Sequence, residues 1–174
     1  MEKQNRTQVH NIEPVYAGDS RVLILGSFPS VRSRADGFFY AHPQNRFWRV
    51  LAALFVSAVP QSVEEKKALL YAQRLALWDV CARCSVSGSG DASIRDVLPN
   101  DISALLKKTQ VRAIFANGAT AASLYRRLLE PVTGMPAVAL PSTSAANASY
   151  RLEKLVESWG CVRDELLKSE NNLL

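Results

Sequence analysis

The sequence of 174 residues suits one domain, because domains usually span about 100–200 residues. Hydrophobic residues make up 48% and charged residues 21%, a balance that supports a packed core and excludes wholesale disorder. No apolar run reaches the roughly 18 residues of a membrane span, and the polar start MEKQNRTQVHNIEP lacks the apolar stretch of a signal peptide. We therefore expect a soluble, cytoplasmic protein with no membrane partner.

The net charge of +5 is concentrated in one stretch of the chain. Between Arg21 and Pro60, five arginines stand against a single acidic residue, Asp36, so this stretch carries four of the five excess charges. Arginine forms forked hydrogen bonds with phosphate oxygens. The distribution favours a polyanionic partner such as nucleic acid, although a solvated basic face has the same composition.

Short apolar runs rich in β-formers alternate with segments of helical spacing, after a loose lead-in over residues 1–14. In chain order we predict strand 21–25, a loop to 43, helices 45–55 and 63–75, strand 76–82, a Ser/Gly loop 85–91, helix 102–108, strand 111–116, helix 119–129, strand 136–140 and helix 148–167. These elements form a single domain over 15–168, and residues 169–174 are a tail.

This alternation predicts an α/β fold, a three-layer αβα sandwich around a mostly parallel four-stranded sheet. Such sheets bind ligands at the carboxyl ends of their strands. Small polar loops follow three of the predicted strands: GSFPS, Asn117-Gly118 and PSTSAANA. Because loops of this composition let backbone amides approach a ligand closely, we expect the functional site at this edge of the sheet.

The cysteines do not form a framework for disulfides or metal. Cys81 and Cys84 make a C-x-x-C pair, but Cys161 and the histidines His10 and His42 are the remaining soft ligands. Zinc and iron–sulfur sites normally need four ligands, so buried thiols on a strand explain the pair better. We predict no metal and no cofactor.

Three segments carry a family resemblance: GSFPS (26–30), FYAHPQNRFW (39–48) and LPSTSAAN (140–147). With them the chain resembles the uracil-DNA glycosylase superfamily over about residues 15–165. It is most similar to the hypoxanthine-DNA (deoxyinosine) glycosylase branch, and next to the mismatch-specific uracil/thymine glycosylases. The resemblance implies a monofunctional, monomeric enzyme that flips a deaminated or mismatched base out of double-stranded DNA and hydrolyses its N-glycosidic bond.

For base binding, the resemblance implies that the ring of Tyr40 stacks on the flipped base, with Phe39 as the neighbouring candidate. A core aromatic is the other interpretation of Tyr40. The backbone amides of Ser27 and Phe28, just beyond Gly26, suit the carbonyl edge of the base. A tight turn with no ligand is the alternative there.

For catalysis, mismatch-specific relatives carry an Asn in the first loop where this chain has Phe28, which cannot position water. The hypoxanthine branch implies Asn45 for this role, although an Asn near a helix start also serves as a cap. Asn117 is a second candidate that offers an amide to a base edge, or it belongs to an Asn-Gly turn. His42 either protonates a purine leaving group, binds phosphate, or orders its loop. Asp79 is interpreted as a structural hydrogen-bonding group or as a neighbour of the site.

The loop after the fourth strand resembles the wedge that enters the minor groove and fills the vacated space. Relatives often have proline where this chain has Ala145. The missing proline affects how stiff the wedge is, not whether the chain has one. A simple Ser/Thr helix cap is the alternative interpretation. The residues implied to contact DNA are Ser142, Thr143, Ser144, Ala145, Ala146, Asn147, Arg32 and Arg46, the arginines acting collectively with Arg34 and Arg49 on phosphates.

Two other function classes compete with a glycosylase. A nucleotide- or sugar-phosphate-binding α/β enzyme would use GSFPS as an anion loop, but the chain has no G-x-G-x-x-G and no Walker lysine. A DNA-lesion-binding module with little or no catalytic activity is the third, and Phe28 favours it. Hypoxanthine is the favoured base, while uracil, xanthine and mismatched thymine stay open.

Overall fold

The computed structural model describes residues 6–87 and 93–168. Its centre is a four-stranded parallel sheet, and every residue of one inner strand, Val22–Gly26, is buried. A continuous apolar run suits such a strand because other elements cover both faces of the sheet. The strands are β1 (Arg6–Val9), β2 (Val22–Gly26), β3 (Leu75–Asp79), β4 (Cys81–Val86), β5 (Arg95–Pro99), β6 (Ala113–Asn117) and β7 (Ala137–Leu140).

The parallel sheet has the strand order β3-β2-β6-β7. Gly26 at the end of β2 is the register partner of Asp79 at the end of β3, and Asn117 of β6 is the partner of Leu140 of β7. Because the strands are parallel and end together, the loops that follow them open onto one edge. This is the edge at which the sequence predicts the site.

Helices cover both faces of this sheet, which confirms the predicted three-layer αβα sandwich. Val22 and Ile24 pack with buried residues of the second and last helices, whereas Leu23 and Leu25 pack with those of the fourth and fifth. The period of two reflects the alternation of side chains along a strand. The helices are α1 (Val31–Asp36), α2 (Phe47–Leu54), α3 (Val63–Ala72), α4 (Ile102–Lys107), α5 (Ala119–Leu128), α6 (Glu130–Thr133) and α7 (Leu152–Lys168).

A second, antiparallel sheet with the order β1-β4-β5 was not predicted. The predicted strand 76–82 is in fact divided: β3 ends at Asp79 and β4 begins at Cys81 in the other sheet. The change from one sheet to the other cannot be seen in the sequence, because the residues before and after it are equally buried. Cys81 and Cys84 lie buried on β4, as expected for structural thiols, and burial raises the pKa of Cys84.

Several other segments differ from the predictions. The predicted loop after β2 contains α1, which Ser30 caps by accepting a bond of 3.1 Å from the Ser33 amide. The expected loose lead-in contains β1, and Ile12 within it is buried in the core. The predicted Ser/Gly loop 85–91 starts too early, because β4 continues to Val86. Residues 88–91 of that loop and the tail 169–174 lie outside the described residues. No helix in the described ranges combines the length and the apolar character that crossing a membrane requires.

Candidate active site

A cleft of about 730 Å³ opens at the carboxyl edge of the parallel sheet. Gly26, Asp79 and Asn117, the last residues of three strands, lie in its lining. Of the residues predicted to contact base or DNA, the lining omits two arginines, Arg46 and Arg49. The predicted residues that line the cleft are Gly26, Ser27, Phe28, Arg32, Phe39, Tyr40, His42, Asn45, Asn117, Ser142, Thr143, Ser144, Ala145, Ala146 and Asn147.

Tyr40 presents an aromatic ring to the cleft. One face of the ring stacks on buried Phe47, with centroids 4.0 Å apart and an interplanar angle of 20°. Tyr40 has φ 52°, a left-handed conformation that is rare for a bulky residue and persists where the surroundings hold it. Phe39 is only 2% exposed and its ring packs against that of Phe38. Of the two candidates, Tyr40 therefore has the more accessible ring.

Asn45 precedes α2 and its side-chain oxygen accepts two hydrogen bonds. The backbone N–H of Phe47 and the hydroxyl of Thr143 each donate to Oδ1 at 2.9 Å. A carbonyl oxygen has two lone pairs, so these bonds hold the plane of the amide. Within the described residues, no hydrogen bond from Nδ2 is found, and Nδ2 is the donor that the cleft can use. Asn45 thus supports the helix start and lines the cleft at the same time.

Asn117 and Thr143 both line the cleft and bond to each other across it. Asn117 Nδ2 donates to Thr143 Oγ1, and the Thr143 N–H donates to Asn117 Oδ1, both at 3.0 Å. Thr143 is fully buried and Asn117 is 8% exposed. These bonds use one Nδ2 proton and one Oδ1 lone pair of Asn117, and each atom can form a second bond. The base-edge role of Asn117 and the DNA contact of Thr143 stay predictions. Together the two residues position Asn45.

Arg46 holds the loop after β7 instead of facing phosphate, which corrects its predicted role. Its Nε donates to the carbonyl of Thr143 at 3.3 Å, and Nη2 donates to the carbonyls of Ser144 and Asn147 at 2.6 and 3.2 Å. Nη1 donates to the carbonyl of Tyr150. Because this guanidinium spends most of its donors on backbone carbonyls, it contributes little to a phosphate-binding surface.

The loop over residues 142–147 also bonds within itself. Ser142 Oγ accepts the N–H of Ser144, and Ser144 Oγ accepts the N–H of Ala146, both at 3.2 Å. Ala145 and Ala146 form an exposed tip. The loop is therefore stiffened without the proline that relatives often have. The prediction had α7 begin near residue 148, directly after the tip, but α7 begins at Leu152. Its first amides therefore do not follow the tip directly.

A model of the uracil DNA glycosylase superfamily matches residues 13–163. The chain belongs to this superfamily. It is 36% identical over 134 residues to a hypoxanthine DNA glycosylase of Methanosarcina acetivorans, covering 76% of this chain and 84% of the relative. A hypoxanthine DNA glycosylase of Methanosarcina barkeri is 28% identical over 144 residues, covering 81% and 90%.

A solved structure agrees with this assignment. The solution NMR structure of a candidate uracil DNA glycosylase from Methanosarcina acetivorans superposes with a TM-score of 0.78 at 32% identity, covering 92% of this chain and 99% of the other. The uracil-DNA-glycosylase-like fold expected from the resemblance is confirmed. The chain is a DNA N-glycosylase of this superfamily, and DNA is its substrate.

The bonds from Arg46 to the backbone carbonyls of the loop after β7, called the Arg46 clamp below, lead to a stability prediction. Arg46→Ala removes a charged donor from partly buried carbonyls, and we expect the free energy of unfolding to fall by at least about 2 kcal/mol, because hydrogen bonds to charged groups contribute about 1.5–3 kcal/mol each. Urea denaturation measures this loss. Arg49→Ala, an exposed arginine of α2, is the matched control and should change stability by about 0.5 kcal/mol or less. Equal stability of the two variants would contradict the clamp.

The other basic residues of the glycosylase split between internal and exposed roles. His42 is exposed, and its Nδ1 accepts the N–H of Gln44 at 3.1 Å, so it orders its loop. Arg34 lies 5.3 Å above the Phe28 ring and is half-buried. Arg32 is exposed and pairs with Asp36 at 2.8 Å. Of the four arginines predicted to act together on phosphates, Arg32 and Arg49 are exposed, and their phosphate contacts stay a prediction.

The glycosylase site contains a buried pair of Asp79, which the sequence left open as a structural group or a neighbour of the site, and His10, to which it gave no role. Asp79 Oδ2 lies 2.8 Å from His10 Nε2, and the side chains are 5% and 3% exposed. The His10 ring packs edge-to-face on Phe28 at 6.0 Å. The partners are 69 residues apart, and His10 falls in the expected loose lead-in, so no local pattern connects them. The one feature of the sequence that could have drawn attention to His10 is that the chain has only two histidines.

Proposed function

We propose that this glycosylase releases hypoxanthine from double-stranded DNA and leaves an abasic site. One observation carries the proposal: the Tyr40 ring and the Asn45 amide line the same cleft, beside the turn after β2. A flipped base can then stack on an aromatic face while a polar group reaches the sugar. The hypoxanthine DNA glycosylases of the two Methanosarcina species support this choice of base.

The proposed reaction is hydrolysis through an oxocarbenium-like sugar. The bond between C1′ and the base nitrogen breaks with its electron pair going to the base, and a water oxygen forms a new bond to C1′. The proton that the water loses ends on the released base. Asn45 is neutral and cannot remove this proton, so it acts by orienting water through Nδ2. Backbone amides of Ser27 and Phe28 stabilise negative charge that develops on the base.

The loop over residues 142–147 is the proposed wedge. Its exposed Ala145 and Ala146 enter the minor groove and occupy the space of the flipped base. The hydroxyls of Ser142 and Ser144 still carry protons to donate to phosphates, and Arg32 adds charge. We propose that the enzyme acts as a cytoplasmic monomer of 19.2 kDa, which gel filtration at working concentration tests.

A base-release assay tests the proposed function. Duplexes that carry hypoxanthine, uracil, xanthine or a mismatched thymine, each opposite all four partners, are incubated with the protein and treated with alkali. We expect alkali-labile sites with hypoxanthine above all others. Release of uracil but not hypoxanthine would contradict the proposed base while retaining the enzyme class.

The second candidate is a lesion-binding module of the same fold. Phe28, which packs on His10, fills the first-loop position where the mismatch-specific glycosylases carry a water-positioning Asn. A binder would retain damaged duplex in a mobility-shift assay without producing alkali-labile sites. The same two assays thus separate it from the enzyme.

A further inference from the structure

Arg34 is a cation of the cleft to which the proposed function gives no role. It lies on α1, lines the cleft and is half-buried. Its guanidinium carbon stands 5.3 Å from the centroid of the Phe28 ring, so the cation packs on the first loop. Arg32, on the same helix, pairs with Asp36, whereas Arg34 forms no ion pair with a carboxylate in the described ranges. Arg34 therefore brings an unbalanced positive charge to this side of the cleft.

The guanidinium of Arg34 is held at one nitrogen and has donors left at the other two. Nη1 donates to the side-chain oxygen of Gln8 on β1, which ties the group to the antiparallel sheet. Nε is shielded from solvent and has no acceptor among the described residues, and no hydrogen bond from Nη2 is found there. These two nitrogens form one fork of the guanidinium. Because shielded donors in native proteins nearly always have an acceptor, we expect a ligand in the cleft to supply one.

The edge of a 6-oxopurine carries two neighbouring acceptors. In hypoxanthine, as in guanine, the carbonyl oxygen O6 stands beside the ring nitrogen N7, and arginine is the most frequent partner of this edge. The proposed function gives the carbonyl to the backbone amides of Ser27 and Phe28. N7 then falls beside the first loop, where the Arg34 guanidinium packs. Uracil has only C–H groups on that side of its carbonyl and offers the cation no acceptor.

A hydrogen bond to N7 also becomes stronger as the base leaves. When the bond between C1′ and the base nitrogen breaks, its electron pair enters the purine, and N7 becomes a better acceptor. A bond from a cation is then stronger in the transition state than in the bound duplex, which lowers the barrier. Asn45 acts on the water in the proposed reaction, so this help for the departing base has to come from another residue.

We infer that Arg34 donates to N7 of the flipped purine, favours hypoxanthine over uracil, and stabilises the negative charge of the departing base. The inference rests on the proposed function, because it needs a 6-oxopurine in this cleft. It gives Arg34 a contact with the base itself instead of a place among the arginines predicted to act on phosphates.

A hypoxanthine analogue without N7 tests the inference on the unmodified protein. In 7-deazahypoxanthine a C–H group replaces N7, while the carbonyl and the ring N–H are retained. Both bases are placed in the same duplex on a 2′-fluoroarabino sugar, which resists cleavage, and affinity is measured by fluorescence anisotropy. We expect hypoxanthine to be bound about tenfold or more tightly than the analogue, because the lost bond is to a charged group. Equal affinity for the two duplexes would overturn the inference.

Arg34→Met then assigns the preference to this side chain. Methionine keeps a long side chain over Phe28 and removes the charge and the donors. We expect the preference for hypoxanthine over the analogue to shrink to about one, since only the duplex with N7 loses a contact. In single-turnover assays on ordinary deoxyribose, the ratio of hypoxanthine to 7-deazahypoxanthine release should narrow by about tenfold or more. A preference that stays at the unmodified value would overturn the inference.

Arg163→Met is the matched control, since Arg163 is exposed on α7 and does not line the cleft. It should leave the preference and the release ratio unchanged. If Arg34 bound phosphate or only supported the fold, Arg34→Met would weaken binding of both duplexes equally and keep the ratio, and either result would overturn the inference while the proposed function stands. If the unmodified protein releases no hypoxanthine from an ordinary deoxyinosine duplex, the proposed function itself fails.

Discussion

Replacing Asn45 by alanine is expected to lower single-turnover release of hypoxanthine by at least about tenfold, equivalent to about 1.4 kcal/mol of transition-state stabilisation. The structural reason is the fixed amide: two bonds to Oδ1 leave Nδ2 as the donor that can orient water. Quench-flow or manual sampling with enzyme in excess over duplex measures the chemical step. Affinity for hypoxanthine-containing DNA, measured by fluorescence anisotropy, should stay unchanged.

Asn45 precedes Arg46, the N-cap of α2, and its loss removes the acceptor of the Phe47 amide in the first turn. Loss of such an acceptor costs about 1 kcal/mol of stability. Asp101→Ala provides the matched control, because Asp101 caps α4 by accepting the Ala104 N–H at 3.0 Å, away from the cleft lining. It should cost similar stability and leave base release unchanged. Equal release rates for Asn45→Ala and Asp101→Ala would remove Asn45 from the mechanism.

Asn45→Asp shows whether base release depends on Nδ2 or on Oδ1 of the amide. The carboxylate still accepts the bonds from Phe47 and Thr143, but it replaces the Nδ2 donor with an acceptor. If Nδ2 orients the water, this variant should be as slow as Asn45→Ala. Release at the unmodified rate would show that an oxygen at this place is sufficient.

Replacing Tyr40 by alanine is expected to weaken binding of damaged DNA by about 1–3 kcal/mol, the usual contribution of one stacked base. In the structure Phe47 supports one face of the ring, so stacking of a base needs no further ordering of Tyr40. The measurement is anisotropy with a duplex that carries an uncleavable hypoxanthine analogue. Affinity for undamaged duplex should change far less.

Two further variants serve as controls for the Tyr40 prediction. Tyr40→Phe keeps the ring and should retain most of the affinity for the damaged duplex. Tyr71→Ala removes a tyrosine that is 44% exposed on α3 and should change neither affinity. An equal loss on damaged and undamaged duplex in Tyr40→Ala would argue against stacking on the flipped base.

The parallel sheet and its functional edge were predictable because their signals are local. An apolar run such as 21–25 cannot remain exposed, and turn-forming residues after Asn117 and Leu140 mark where strands stop. Helices α2, α3, α4 and α5 begin within two residues of their predicted starts, since helical spacing is written in consecutive turns. The segment FYAHPQNRFW was sufficient to bring Tyr40 and Asn45 into one hypothesis.

Contacts between distant segments were not predictable from local pattern. Arg46 belongs to a basic stretch by composition, yet its guanidinium bonds to carbonyls about a hundred residues later, such as that of Tyr150. Asn117 was predicted to contact a base edge, and its bond to Thr143 could not be predicted, because Thr143 comes from another loop. The same reason explains the antiparallel sheet, since pairing of β1 with β4 brings Arg6 beside Val86.

The sequence by itself determined the α/β architecture, the edge that carries the site, and the chemical types of residue available there, because burial periodicity and turn chemistry act over short stretches of chain. Tertiary structure decided which polar groups remain free for a ligand. It committed Arg46, Asn117 and Thr143 to internal bonds, and it brought His10 to Asp79 at the cleft wall. A buried polar group takes whichever partner the fold supplies, and that partner is set by packing across the whole domain.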